Sequence, residues 1–478
     1  MGASETRPSV RTLGGVIRPA LLATVAAFAI SGPAARAETL SGALAKAYVT
    51  NPDINSQRAA VRQTDESVPA ANAGYLPKIS AFGNAGVAHQ NGNLISPTST
   101  GASDTDYALG TLPRGYGVQA QQTIFDGYQT MNKIRSADSQ VLGAREQLRN
   151  TEQNTLLSGV TAYMDVLQNS AIVELDKNNV EVLKEQLRET KDRFTVGEVT
   201  RTDVAQAEAS LASANAQLLT DQAVLEGSVA TYRQVIGDQP KTLAPVKPLA
   251  KPLPRTLPEA VNISQVEHPA IVAQQHGVDV ALLSIKIAEG ALYPQASVTG
   301  QLAQSYDVNA TPGQRLFSAQ ITGQLTIPIY QGGAEYANIR QSKEGLSVQE
   351  LKASSTRDQI RQNVVAAWGR FQAAIGVVKA ARASVAANEV ALAGVREEAK
   401  VGQRTTLDVL NAQQALLSAR TQLVRAEHDQ VVFSYSLLST IGRLNAPTLG
   451  LAVEEYDPRV HYDQVKNKWI GLRTPDGK

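Results

Sequence analysis

The chain has 478 residues, with 45 basic and 44 acidic side chains and a net charge of +1. That balance argues against nucleic-acid binding, which shows as a basic excess. The lack of cysteine excludes disulfides, thiolate metal sites and a cysteine nucleophile, and His89, His268, His276, His428 and His461 show no metal-ligand spacing.

Residues 1–37 read as a secretory signal. Arg7, Arg11 and Arg18 form a basic segment, Ala20 to Ile30 is an apolar run too short to span a bilayer, and Ala35-Arg-Ala37 is a small-x-small cleavage site. The mature chain is expected to begin near Glu38. Nothing downstream approaches eighteen consecutive apolar residues, so a membrane role has to come through a β-barrel.

Leu40 to Val49 is a short predicted helix ended by Asn51-Pro52, because the residue before proline disfavours the helical region. Asp53 to Ala73 resumes as helix, and Gly74-Tyr-Leu-Pro77 breaks it. From Lys78 the period changes to two. Ile79, Ala81, Gly83, Ala85 and Val87 share a face opposite Lys78, Ser80 and Asn84, with Phe82 an exception. Asn91 to Pro113 is rich in Ser, Thr, Gly and Asp and reads as a loop. Alternation returns with Tyr116, Val118, Ala120 and Ile124, which makes a β-hairpin over about 78–125.

Gly127 to Phe194 carries no proline and reads as one helix, roughly 100 Å long at about 1.5 Å per residue. The helix returning from it carries heptads at Val204, Leu211, Leu218, Leu225 and Tyr232, the sign of supercoiled packing. Ala207 and Ala214 allow close approach. Asp238 to Arg255, with five prolines, is an extended, stiff linker expected along the outside of the helical region.

The pattern then repeats. Thr39-Leu40 matches Thr256-Leu257, Asn51-Pro52 matches His268-Pro269, and Pro77 matches Pro294. Phe125-Asp-Gly127 matches Tyr330-Gln-Gly332, Gly197 matches Gly402, Asp203 matches Asp408, and Ile236-Gly237 matches Ile441-Gly442. The copies, 38–237 and 256–442, differ in length only between Pro77 and Phe125. The second hairpin, about 295–330, alternates more cleanly. Val298, Leu302, Ile321, Leu325 and Ile327 lie on one face, and Ser297, Thr299, Gln301, Gln320 and Thr326 on the other. Gly332 to Ala399 is the second long helix. Val409, Leu416, Leu423 and Leu437 continue the heptads, with Gln430 a polar break, beside Leu410, Leu417, Val424, Val431 and Leu438. Residues 443–478, with Pro447, Pro458 and Pro475, form a polar tail expected to be peripheral or partly disordered.

Each strand is about ten residues or longer, with one apolar face and one uncharged polar face. That suits a tilted membrane strand with lipid outside and water inside. Tyr75, Phe125, Tyr293 and Tyr330 stand at strand ends, where an interfacial aromatic girdle belongs. Four strands cannot close a barrel and lipid tolerates no open edge, so several chains must share one barrel. Two chains give eight strands, a size filled by side chains, and three give twelve with room for a lumen.

Taken together, these residues resemble the TolC family of outer-membrane efflux and type I secretion channels, over nearly all of the mature chain from Thr39 to about Leu444. The carriers are Asn51-Pro52, Ile124-Phe-Asp-Gly127, Ile327-Pro-Ile-Tyr-Gln-Gly-Gly333 and the duplicated turns at Val196-Gly197 and Val401-Gly402. The resemblance implies a mixed α and β, internally duplicated membrane protein. It implies a homotrimer with a twelve-stranded outer-membrane barrel and a long periplasmic α-helical barrel. It also implies a periplasmic adaptor (membrane fusion) protein and an inner-membrane pump or ABC transporter as partners, with outer-membrane lipid around the strands.

No catalytic constellation, nucleotide loop or cofactor motif is visible, so the mechanism is passage through a gated hole. In TolC-like channels two acidic rings line the entrance. Asp408 matches the first, and Asn411 stands where the second is expected. Thr405-x-x-Asp408 and Thr200-x-x-Asp203 are also capping-box patterns. Arg404 matches a constricting arginine whose partners fall at Thr202 and Asp203, and Ala399 replaces the tyrosine of a second link. Val196, Gly197, Val401 and Gly402 are the tips expected to meet the adaptor. The rival reading is a structural coiled-coil periplasmic scaffold or adhesin, which needs the alternating strands to be soluble.

Overall fold

The computed structural model describes residues 37–98, 101–249, 251, 253–308 and 312–477. The signal segment, apart from Ala37, lies outside the described residues. From Glu38 to Lys478 the chain is one compact unit, organised around two helices of equal length. These are α4 (Gln129–Thr195) and α8 (Ala334–Lys400), each of 67 residues. Before α4 come α1 (Leu40–Thr50), α2 (Pro52–Asp65) and α3 (Ser67–Asn72). After it come α5 (Arg201–Ile236), α6 (Leu257–Glu267) and α7 (Pro269–Gly290), and after α8 come α9 (Thr406–Thr440) and α10 (Arg459–Val465).

The two helix entries after the copy starts are capped alike. The Asn51 side chain accepts from Asp53 N–H (2.8 Å), and His268 Nδ1 accepts from Ala270 N–H (3.2 Å), each before a proline in the first helical turn. Such caps satisfy donors that the helix leaves open. Burial holds His268 neutral, with its pKa lowered to about 4, which suits its role as an acceptor.

The strands are β1 (Lys78–Ala85), β2 (Ala88–Thr98), β3 (Gly101–Thr111), β4 (Arg114–Phe125), β5 (Gln295–Tyr306) and β6 (Arg315–Thr326). An antiparallel sheet runs β1-β4-β5-β6. Its register lays Ile79, Ala120, Gly300 and Ile321 in one row and Ala81, Val118, Leu302 and Ala319 in the next. The opposite face carries Ser80, Gln119, Gln301 and Gln320, and Gln320 Nε2 donates to Gln301 Oε1 (3.3 Å). Ile79, Val118, Leu302 and Ile321 are exposed, so the apolar face has no protein against it within one chain. A register shift between Thr123 and Phe125 places Phe125, rather than Ile124, in the row of Ala296 and Leu325.

One expectation is corrected. The stretch Asn91 to Pro113 is not a loop. Most of it belongs to the β2–β3 ribbon, paired from Ala88↔Thr111 to Thr98↔Gly101. Its Ser, Thr, Gly and Asp residues are turn formers by type. They show no apolar alternation, so nothing in the sequence marks the segment as strand. The second copy lacks this extension because Asp307 closes the β5–β6 connection tightly. Its N–H donates to Gln314 O (2.8 Å), and its Oδ1 accepts from Gly313 N–H (2.7 Å).

The main core lies where α4 and α9 meet α1, α5, α6, α7 and α8. Leu44, Leu156, Tyr163, Ile236, Ile271, Leu437, Leu438 and Ile441 are buried there. The linker after α5 does not simply pass outside. Leu243, Val246, Leu249 and Leu253 pack on this core. The buried Tyr163 hydroxyl lies 2.6 Å from Glu38 O and 2.8 Å from Ala244 O, tying the linker and the start of the described chain to α4. The polar tail is also structured. Leu444 and Val465 are buried, and His461 Nδ1 meets the buried carboxylate of Asp65 at 2.9 Å.

Candidate gating site at the helix tips

The two long helices end in the same device. After α4, Gly197 takes φ +79°; its N–H donates to Phe194 O (3.1 Å) and Glu198 N–H donates to Arg193 O (2.9 Å). After α8, Gly402 takes φ +78°, Gly402 N–H donates to Ala399 O (3.2 Å) and Gln403 N–H to Glu398 O (2.9 Å). This pair of bonds closes the last carbonyls of a helix and requires a left-handed residue, which glycine supplies without a Cβ clash.

The return helices start in matching capping boxes. Thr200 Oγ1 accepts from Asp203 N–H (3.3 Å), and Asp203 Oδ2 accepts from Thr200 N–H (2.8 Å) and Thr200 Oγ1 (2.7 Å). Thr405 and Asp408 repeat this at 3.2, 2.9 and 2.9 Å. These bonds hold both carboxyls below the usual carboxylate range. For Asp203 the Thr200 hydroxyl contributes most, and for Asp408 the Thr405 N–H, with Arg404 adding attraction. Asp408 is therefore a fixed anion at the start of α9. Asn411 follows one helical turn later on the same side and is exposed.

Arg404 does not bond to Thr202 or Asp203 within the chain. Its Nε donates to Glu398 Oε2 at 2.8 Å, closing the second-copy turn on itself as Arg193 and Glu198 (3.0 Å) close the first. Glu398 is thus a member of the site that the sequence pattern missed; its only sequence signal is the equivalent charge pair in the other copy. The structure does place Asp203, Arg404 and Thr405 on one open cleft of about 1010 Å³ between the two tips. The first-copy wall of the cleft carries Glu181, Glu185 and Glu189, and the second-copy wall carries Arg396 and Lys400. Val196, Val401, Thr202 and Gly402 are exposed at the tips.

At the sheet end, Tyr75, Tyr293 and Tyr330 are exposed and Phe125 is partly so. Tyr128, which no sequence pattern marked, joins them. Its ring stands edge-on to Phe125 (5.2 Å) and to Tyr293 (6.3 Å), an arrangement that contributes roughly 0.5–1.5 kcal/mol per pair. Among the described residues no helix is long and apolar enough to cross a membrane, and no acidic or histidine cluster has the makings of a metal site.

The sequence profile of a family described as outer membrane efflux protein matches residues 43–238 and 260–443, one segment for each copy. The chain is 45% identical over 450 residues to the outer membrane efflux protein BepC of Brucella suis biovar 1 (strain 1330), covering 94% of this chain and 95% of that protein. It is 24% identical over 434 residues to the outer membrane protein TolC of Escherichia coli (strain K12), covering 87% and 84%. Its fold is similar to the crystal structure of the Campylobacter jejuni CmeC outer membrane channel, with a TM-score of 0.74 at 17% identity over 91% of this chain and 90% of that one. The exposed apolar sheet face, the paired long helical hairpins and the duplicated tips agree with these likenesses: the chain belongs to the outer membrane efflux protein family and is a TolC-like channel protein of the outer membrane.

Proposed function

We propose that three copies of this chain form one duct, with twelve strands in the outer membrane and a periplasmic helical tube that the second-copy turns constrict. The observation that carries this reading is the four-stranded sheet itself. Its outer strands β1 and β6 each have one unpaired edge in the sheet, and its apolar face is bare, a state that lipid tolerates only in a closed barrel. The helices give further support. On α5 and α8, Leu219, Leu351, Val365 and Val390 are exposed, as expected of flanks covered by neighbouring copies.

The tips supply the gate. Repeated by three-fold symmetry, Asp408 becomes a ring of fixed anions that favours cations at a narrow mouth. With Asn411 in the second ring position, the mouth carries one charged ring rather than two. Arg404 and Glu398 pair on the turn itself, so opening requires the tips to part without breaking a bond to the first-copy turn of the same chain. Val196, Gly197, Val401 and Gly402 present the exposed contact for a periplasmic adaptor, through which an inner-membrane pump or ABC transporter delivers its substrate to the duct. Native mass spectrometry of the detergent-solubilised chain tests the stoichiometry: three chains per particle is the expected result, and any other number overturns the twelve-stranded barrel.

A further inference from the structure

The C-terminal segment forms a clasp whose direction is fixed by its contacts. His461 meets Asp65 at the end of α2 (2.9 Å), and Tyr462 donates to Asp138 of α4 (2.9 Å). Four residues on, Lys466 O accepts from Asn72 Nδ2 at the end of α3 (3.0 Å). From there the chain turns through Gly471 (φ +116°) and runs back until Asp476 reaches Arg62 at 3.5 Å. The clasp therefore ascends from Asp65 to Asn72 and descends to Arg62, and its apex is Lys468 to Leu472.

The clasp meets the chain close to the base of the sheet. Asn72 leads through a single 3₁₀ turn, Ala73–Tyr75, into β1. Gln122 of β4 donates to Tyr75 O (2.9 Å), and Gly74 lies against Thr130, in the first turn of α4. Asp138, the contact of Tyr462, lies nine residues from the start of α4, about 14 Å below the strand ends. Lys466, bonded to Asn72, therefore lies one 3₁₀ turn from the strand that begins at Lys78, and the apex follows it directly in the chain. The apex is also the most exposed apolar cluster of the tail, with Trp469 at 77%, Ile470 at 73% and Leu472 at 103% of full exposure. The run Lys466-Asn-Lys-Trp-Ile-Gly-Leu-Arg473 holds three bases and no acid.

We propose that the Trp469–Leu472 turn is a phospholipid anchor, seated in the periplasm-facing leaflet of the outer membrane at the foot of the barrel. The indole and the two aliphatic side chains enter the headgroup and upper acyl region, where tryptophan is enriched. Arg473 extends its charged end to the phosphates while its stem stays on apolar surface, and Lys466 and Lys468, whose ammonium groups bond to Asp463 (2.7 Å) and to the Arg473 carbonyl in the single chain, exchange those partners for phosphate at the membrane. The buried Asp65–His461 pair and the Tyr462 contacts hold the clasp to α2 and α4, so the anchor fixes the height and tilt of the helical tube relative to the membrane. The proposal rests on the outer-membrane location of the sheet.

The test uses an accident of composition: the chain has two tryptophans, Trp368 and Trp469. Trp368 packs against the main core and lies 34 residues along α8, roughly 50 Å from the sheet. The Trp368→Phe full-length protein, with Trp469 as its sole indole, is inserted into vesicles of phosphatidylethanolamine and phosphatidylglycerol carrying acyl chains brominated near the headgroup. The anchor predicts loss of most of the Trp469 emission in brominated vesicles relative to unbrominated ones. The wild type, read alongside, keeps the Trp368 emission as a background that bromine does not reach, so the result does not depend on how the variant folds. A water-like emission unaffected by bromine overturns the anchor. A blue-shifted emission unaffected by bromine also overturns it, and assigns the turn to a neighbouring copy of the chain. Vesicle flotation of the same samples reports barrel insertion separately: a chain that floats with an unquenched Trp469 removes only the anchor, whereas a chain that does not float removes the membrane reading on which it rests.

Discussion

At the residue scale, one group outside the tips titrates unusually because it is buried between helices. Asp176 of α4 is 5% exposed. Burial first, and the facing Asp221 carboxyl of α5 second, raise its pKa from 3.8 to about 7. The folded chain therefore keeps a proton that the unfolded chain has lost between those values. The stabilisation is fully present below pH 3.8 and falls as pH rises to about 7, after which it stays lost. Asp176→Asn should flatten the dependence of the thermal unfolding midpoint on pH between 4 and 8 and raise the midpoint at the alkaline end. Parallel curves for variant and wild type would count against a proton shared between α4 and α5. A second residue-scale prediction concerns His268. It caps α7 as Asn51 caps α2, so His268→Asn should preserve stability, while His268→Ala should cost about 1 kcal/mol. Equal losses in both variants would mean that packing, not the cap, is what His268 supplies.

At the element scale, the turns are set by backbone geometry rather than by space. Nothing lies within 4 Å of a Cβ added at Gly197 or Gly402, so an alanine there is penalised only by its left-handed φ. Gly402→Ala should destabilise the end of α8 by about 1–2 kcal/mol, read as faster amide exchange over the last turns of α8 with no change near Tyr163. Exchange that rises everywhere, or nowhere, would contradict this. The same turns show why so much was legible in the sequence. Val-Gly pairs, Thr-x-x-Asp caps and a proline-free run of helix each carry a local steric or hydrogen-bonding reason, and the duplication presents each reason twice. The β2–β3 ribbon was not legible, because its sequence of Ser, Thr, Gly and Asp carries no period-two apolar trace. The ordered tail was missed for a related reason. Its docking depends on His461, Tyr462 and Val465, single residues whose partners are hundreds of positions away in sequence. The Arg404–Glu398 pair was missed because it joins residues on either side of a turn, and the sequence does not show which charges that turn brings together.

At the scale of the whole molecule, the chain looks unfinished by itself. An apolar sheet face with open edges and two helices with bare apolar flanks are costly in water, and lipid together with neighbouring copies removes both liabilities. In the proposed duct the pore runs from the tips to the strands, with Arg404, Asp408 and Asn411 of each chain assigned to its narrow end. Arg404→Ser removes the pairing to Glu398 and the positive charge beside Asp408. It should enlarge the open population in planar-bilayer recordings, and an unchanged conductance would remove Arg404 from the constriction. The central claim, a duct gated at the helix tips with its acid ring at Asp408, is tested most directly by single-channel recording of the mature chain beside Asp408→Ala. Small, cation-selective openings whose selectivity weakens in the variant are the predicted result. Openings of identical size and selectivity in both proteins would contradict it and place the gate elsewhere along the tube.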